Sequence, residues 1–253
     1  MRKVYLAACA AILGLMTAGA SLADDAPTLA KMWKITPKPG MSDALKSALK
    51  VHAAFRTENG DPWSWNMYQL VTGEMDGSWY IRSFPHTWAD MDAYRDSDFT
   101  KKALTHWNAT VDQFVADYGS SISRYVPELS NWPEAATYTY YWVYTYHIRP
   151  GRTQAFKAAA QAITDVLKEA KYNDIWAFTE GLTGDSQTFS LVLGEDNYAG
   201  FAGPGSTAYQ AVAAAKGEDA AKAMWAAFAE NCKRIESQIY RREADMSVVA
   251  TGK

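Results

Sequence analysis

Lys38-Pro39-Gly40-Met41-Ser42 and Arg149-Pro150-Gly151-Arg152-Thr153 are one turn written twice, 111 residues apart (151 − 40 = 111). The same offset joins Trp65 to Trp176 and Thr72-Gly73 to Thr183-Gly184. Markers that keep one spacing from Gly40 to Gly73 without an insertion identify an internal repeat, and a repeat decides the architecture before any single element is assigned. In the first copy, residues 29–36 read as a strand closed by the turn. A helix then starts at Ser42 and carries Leu45, Ala48, Leu49, His52 and Phe55 on one stripe. Residues 63–71 and 78–84 read as a hairpin around Gly73 and Gly77. Thr87 with Asp90 opens a second helix, 106–118 reads as a third, and 122–126 as a closing strand.

The second copy repeats the order, with strands at 138–148, 174–182, 187–193 and 238–241 and helices at 153–171 and 220–235. On the 111 offset Leu45 meets Phe156, Ala48 meets Ala159, His52 meets Ile163 and Phe55 meets Val166, so the helix stripes overlay. The same offset sets Arg82 opposite Leu193. Residues 127–136 hold two prolines and no periodicity and read as a linker between units at 24–126 and 137–253.

Residues 1–23 have the pattern of a secretory signal: Arg2 and Lys3, an apolar stretch to Ala20, and Ser21-Leu22-Ala23 before Asp24. The expected mature protein is periplasmic or secreted and begins at Asp24, with no membrane association once the leader is removed. Arg2 and Lys3 leave with the leader, so 23 basic and 28 acidic side chains remain, a balance of −5 that argues against nucleic acid as partner. Cys9 leaves too, so Cys232 has no intrachain partner for a disulfide and stability rests on the core.

Strand-helix-strand-strand-helix-strand is the ferredoxin-like order. Along 138–147, Tyr138, Tyr140, Trp142, Tyr144 and Tyr146 fall on one face, and Tyr141, Val143 and His147 on the other, so both faces of the sheet are expected to be covered. Helices cover one face and a second sheet covers the other, as in a closed two-sheet barrel. On these features the chain resembles the dimeric α+β barrel superfamily, which includes antibiotic-biosynthesis monooxygenases, NIPSNAP-like, EthD-like and haem-handling proteins. The fold class implied is α+β: two tandem ferredoxin-like units forming a pseudo-dimeric barrel within one chain, which is expected to stay monomeric. The scaffold hosts unrelated activities, so the resemblance carries fold further than function.

The chemistry-bearing residues are few. No histidine pair has the spacing of a helical zinc site, and there is no CxxC motif, phosphate loop or nucleophile elbow, so neither a metal nor a cofactor is called. His52 stands out because the repeat places Ile163 there; the resemblance puts ligand pockets between sheet and helices, near His52. Glu180 shares a strand face with Trp176 and Phe178, as its repeat partner Gln69 does with Trp65 and Met67. His52 and Glu180 are therefore the candidate bases, with a satisfied core histidine and simple solvent exposure as the alternatives. Trp65, Trp176, Tyr144, Tyr146, His147 and Arg82 are the candidate ligand contacts, Arg82 as a charge partner or anion contact. His86 with Trp88 and His106 with Trp107 read as features of helix starts.

The reading that follows is a protein that binds a small apolar or aromatic molecule. Three rivals stand beside it: a cofactor-independent monooxygenase-like enzyme, a haem-binding protein with His52 or His147 as axial ligand, and a structural protein that binds a partner.

Overall fold

The computed structural model describes residues 26–73, 77–134, 136–185, 187–203 and 205–250. The expected leader, 1–23, lies outside the described residues. The first half runs β1 (Leu29–Pro37), α1 (Ser42–Glu58), β2 (Asn66–Thr72), β3 (Trp79–His86), α2 (Trp88–Asp96), α3 (Asp98–Thr110) and β4 (Val115–Asn131). The second runs β5 (Tyr140–Ile148), α4 (Thr153–Glu169), β6 (Trp176–Gly181), β7 (Thr188–Glu195), α5 (Ala208–Lys216), α6 (Glu218–Ala229) and β8 (Cys232–Arg242). Gly40 and Gly151, the turn markers of the repeat, both have φ of 76°, a left-handed backbone that glycine adopts without steric cost.

The eight strands close into one antiparallel barrel in the order β1-β3-β2-β8-β5-β7-β6-β4. Each half therefore contributes four neighbouring strands in the ferredoxin-like order, β4-β1-β3-β2 and β8-β5-β7-β6. The halves join at two equivalent seams, β2 with β8 and β4 with β6, where Tyr68 pairs Arg242 and Arg124 pairs Glu180. Each seam sets the second strand of one half against the last strand of the other, so a pseudo-dimer is closed within one chain and no free sheet edge is left between the halves. No described helix is long and apolar enough to cross a membrane.

The structure differs from the sequence reading in four places. The third helix is Asp98–Thr110, not 106–118, because the Ser97 side chain accepts the Thr100 N–H and starts the helix there. His106 thus sits within α3 rather than at its start. The expected helix at 220–235 is α6 and stops at Ala229, because β8 already begins at Cys232 rather than at 238; a further helix, α5, precedes it and ends at Gly217, whose φ is 93°. Residues 127–131, read as linker, are the end of β4, which pairs β1 over its first part and β6 over its last.

The fourth difference is register. Trp33 pairs Ile81 in the first half and Tyr144 pairs Leu191 in the second. The offset is 111 for the first pair of partners (144 − 33) and 110 for the second (191 − 81), so the second hairpin is one residue shorter. A one-residue slip moves a strand's side chains to the other face, and the counterpart of Arg82 is therefore Val192 and not Leu193.

Candidate functional site

Stripe residues of α1 decide what lies beneath it. Leu45, Ala48, Leu49, His52 and Ala53 are its buried residues, and a histidine in that row must find partners within the core. It finds them because α3 crosses α1: His52 Nδ1 lies 3.0 Å from His106 Nδ1, and His52 Nε2 lies 3.3 Å from a terminal nitrogen of Arg56, one turn along α1. The Arg56 Nε–H donates to Asp61 Oδ2 at 2.7 Å, and its other terminal nitrogen reaches both that oxygen and the Tyr94 hydroxyl of α2. Asp61, only 2% exposed, also accepts the Trp63 backbone N–H and the Trp65 indole N–H, each at 2.9 Å. The Arg56 guanidinium carbon lies over the Trp65 ring, 4.7 Å from its centroid.

These groups floor a cavity of about 480 Å³ between the outer face of the first sheet and α1, α2 and α3. Trp33, Ile35, Trp65 and Ile81 form its sheet wall, and Ala103, Leu104 and Trp107 its α3 wall. At the mouth, the Trp107 indole N–H donates to the Tyr118 hydroxyl at 2.8 Å, and that hydroxyl donates to Asp112 at 2.7 Å. The cavity is thus apolar and aromatic at its sides and polar at its floor, where the Arg56 guanidinium is paired with the Asp61 carboxylate. Burial, with the neighbouring Arg56 charge and His106 behind it, lowers the His52 pKa to about 3, so the ring is neutral at physiological pH. Burial likewise pushes the Tyr94 phenol up to about 12.

Of the residues singled out from sequence, His52 and Trp65 line this cavity. Trp176 occupies the position equivalent to Trp65, but its indole N–H donates to the Leu129 carbonyl at 2.8 Å within the core of the second half. Tyr144 and Tyr146 belong to that same core. There the counterparts of His52 and Arg56 are Ile163 and Leu167, packed with Phe156 and Phe228, so the space that is open in the first half is filled in the second. Glu180 lies away from the cavity on β6, bound to the Lys157 ammonium at 2.8 Å. It is partly exposed and does not line the cavity of the first half.

His147 lies on the opposite sheet face to the core residues of β5. Its Nδ1 is 2.8 Å from Asp185, and its Nε2 is 3.1 Å from Arg234. Arg82 faces the barrel interior. His86 is no boundary residue: it is buried, stacked on Trp63 at 3.6 Å, with Nε2 2.7 Å from the Ser83 hydroxyl. Sequence reasoning missed Arg56, Asp61, Tyr94 and His106, which with His52 make the polar floor.

Axial ligation of haem requires an imidazole nitrogen free to face the iron. Both ring nitrogens of His52 and of His147 are committed to other groups, and in each case one of them faces a guanidinium. As arranged, these residues do not fit haem. Among the described residues no cluster of three His, Cys, Asp or Glu side chains is placed to hold a metal ion.

No protein-family model and no curated protein matches the sequence. Solved structures do match. A proposed monooxygenase of Lactobacillus acidophilus NCFM superposes with a TM-score of 0.54 at 10% identity, covering 88% of this chain and 97% of its own. An anthrone oxidase-like protein gives a TM-score of 0.52 at 12% identity, with 87% and 92% covered. Chlorite dismutase of Candidatus Nitrospira defluvii, solved with imidazole, gives 0.52 at 11% identity, with 88% and 93% covered. At such identities the likeness is one of fold: the chain has the dimeric α+β barrel architecture, with both ferredoxin-like units in a single polypeptide.

Proposed function

We propose that the protein binds a small planar aromatic molecule carrying an acidic oxygen, in the cavity of its first half. The observation that carries this reading is the pairing of aromatic walls, Trp33, Trp65 and Trp107, with one guanidinium, Arg56, at the floor. Flat rings stack on indoles, and a phenolate or carboxylate is matched by a guanidinium held in place by Asp61. Small-molecule sites have this composition: mostly apolar linings with a few fixed polar groups. Intrinsic tryptophan fluorescence during titration with benzoate, salicylate and hydroxynaphthoates tests it. Quenching in the wild type that weakens at least about tenfold in Arg56→Met, as loss of a charge-assisted contact predicts, supports the reading. Absence of any response, or an unchanged response in the variant, contradicts it.

A second reading, cofactor-independent oxidation of such a molecule, is favoured by one feature. Arg56, His52 and His106 form a continuous hydrogen-bonded path leading from the cavity floor. A neutral His52 is a weak base whose Nε2 faces Arg56, so it would take the substrate proton at that nitrogen only once Arg56 turns to the substrate oxygen and acidifies it. Oxygen uptake with an anthrone as probe, abolished in His52→Gln while binding persists, would select this reading; binding without uptake would leave the first. We also propose that the leader directs export, which N-terminal sequencing of the mature protein at Asp24 would test.

A further inference from the structure

The face of the barrel strands turned away from the helices is lined by polar residues. On β3, Trp79 and Ile81 pack against the helices of the first half, so Tyr80 and Arg82 point the other way, into the barrel. Tyr68 of β2 stands on the same inner face, its ring 5.3 Å from that of Tyr141 on β5, and Tyr80 meets Tyr240 of β8 at 5.0 Å. Each contact spans an intervening strand, as inner-face residues of a closed barrel do. Arg242 of β8 is the direct partner of Tyr68, and Asn66 is the direct partner of Arg82.

Two guanidinium groups therefore share this enclosure. Arg242 Nε donates to Asn66 Oδ1 at 2.9 Å. Arg82 has no hydrogen-bond acceptor and no carboxylate among the described residues; it lies over the Phe84 ring at 4.7 Å. Glu243, the carboxylate next to Arg242 in sequence, is on the outer face, held by Arg241 at 2.6 Å and Lys46 at 3.4 Å. Both arginines act electrostatically on the same two phenols, Tyr68 and Tyr141, and the strand pairing and ring contact set them on neighbouring strands of the same inner face. Tyr141 accepts the Tyr138 backbone N–H at 2.9 Å and the Tyr68 hydroxyl proton, which leaves the Tyr141 proton as the one the pair can donate. Arg82, Tyr68 and Tyr141 are half-buried rather than packed shut. Above them the barrel mouth is stoppered by Trp132 and Tyr138, which lie against Gly194.

A half-buried guanidinium without a hydrogen-bond partner is costly, because part of its hydration is lost and nothing replaces it. We propose that the barrel interior holds a small oxyanion, a carboxylate or phosphate, between Arg82 and Arg242 and under the hydroxyls of Tyr68 and Tyr141. The site is separate from the cavity floored by Arg56 and does not depend on what that cavity binds. Planar guanidinium forks and a phenol donor are suited to two- and three-oxygen anions.

Calorimetric melting of the full chain in inorganic phosphate, acetate and chloride at equal ionic strength tests the site. The wild type is expected to gain about 3 °C or more in phosphate or acetate over chloride, as a ligand that binds only the folded state does. Arg82→Met should lose that gain while melting no lower than the wild type in chloride, since the variant removes an uncompensated charge. Arg242→Met should lose it too, and Arg56→Met should keep it. Equal melting of the wild type in all three salts overturns the proposal, as does a gain that survives in Arg82→Met. Should Arg82→Met fail to fold, Arg242→Met and the wild-type salt series decide alone.

Discussion

His52 and His106 face each other nitrogen to nitrogen, Nδ1 to Nδ1 at 3.0 Å, across the packing of α1 on α3. A guanidinium only donates, so the His52 Nε2 facing Arg56 is bare and its Nδ1 carries the proton given to His106. His106 then accepts at Nδ1 and is protonated at Nε2. This single assignment satisfies every contact in the row, and adding a proton to His52 would break it beside a fixed positive charge.

Acid sensitivity follows. The His52 pKa is about 3 in the folded chain against 6.5 for a free imidazole side chain, so between these pH values the unfolded chain binds more protons than the folded one. Stability from this residue is complete above about pH 6.5 and is lost as pH falls toward 3, a contribution of about 5 kcal/mol at most. His52→Gln keeps an acceptor and a donor but cannot titrate. Urea midpoints at pH 7 and pH 4 should therefore converge in the variant, and equal slopes in both proteins would show that His52 is not the source.

Asp61 is the anchor of the floor, with a fully buried carboxylate taking four donors from Arg56, Trp63 and Trp65. Asp61→Asn leaves the Arg56 charge unpaired and should cost about 3 kcal/mol in denaturant unfolding. It should also disturb the binding of aromatic acids, since Arg56 loses its hold. A cost below about 1 kcal/mol, the range of an exposed pair, would contradict the burial argued for it.

Ala103 is a buried wall residue of α3 whose methyl faces the cavity. Ala103→Leu adds apolar volume where there is space, so unfolding stability should stay within about 1 kcal/mol while aromatic binding falls at least tenfold. Unchanged binding would place the occupied site elsewhere.

Gly194 is required by contact rather than by backbone conformation. A Cβ there would stand 2.4 Å from Tyr138 and 2.7 Å from Trp132. Gly194→Ala should cost about 2 kcal/mol through overpacking and alter the near-ultraviolet circular dichroism of that aromatic pair. A silent substitution would mean the stopper is loose.

The duplicated turn made the barrel legible, because Gly40 and Gly151 mark one left-handed backbone position that both copies need. His52 was legible for the converse reason: where the copies diverge from isoleucine to histidine, an apolar stripe has acquired a polar residue. Arg56 carries the same signal, since its counterpart is Leu167, but it lies beside the stripe and not on it. Tyr94 and His106 had no such signal. They come from α2 and α3, whose counterparts follow a different spacing, and only the packing of α3 on α1 brings them to the floor. Trp176 and Glu180 misled because a repeat predicts equal positions, whereas Phe156 and Phe228 fill in the second half what the first leaves open. Arg82 was placed against the wrong partner by the single residue missing from the second hairpin.

The chain has histidines only at 52, 86, 106 and 147, so one nitrogen-15 imidazole spectrum, recorded at pH 5 to 7 with and without salicylate, reads the site directly. The prediction is a neutral His52 protonated at Nδ1 throughout that range, with the His52 and His106 signals moving on addition of the aromatic acid and the His147 signal fixed. A His52 that titrates near 6.5, or a ligand that moves His147 and leaves His52 and His106 unchanged, would contradict a binding site floored by Arg56.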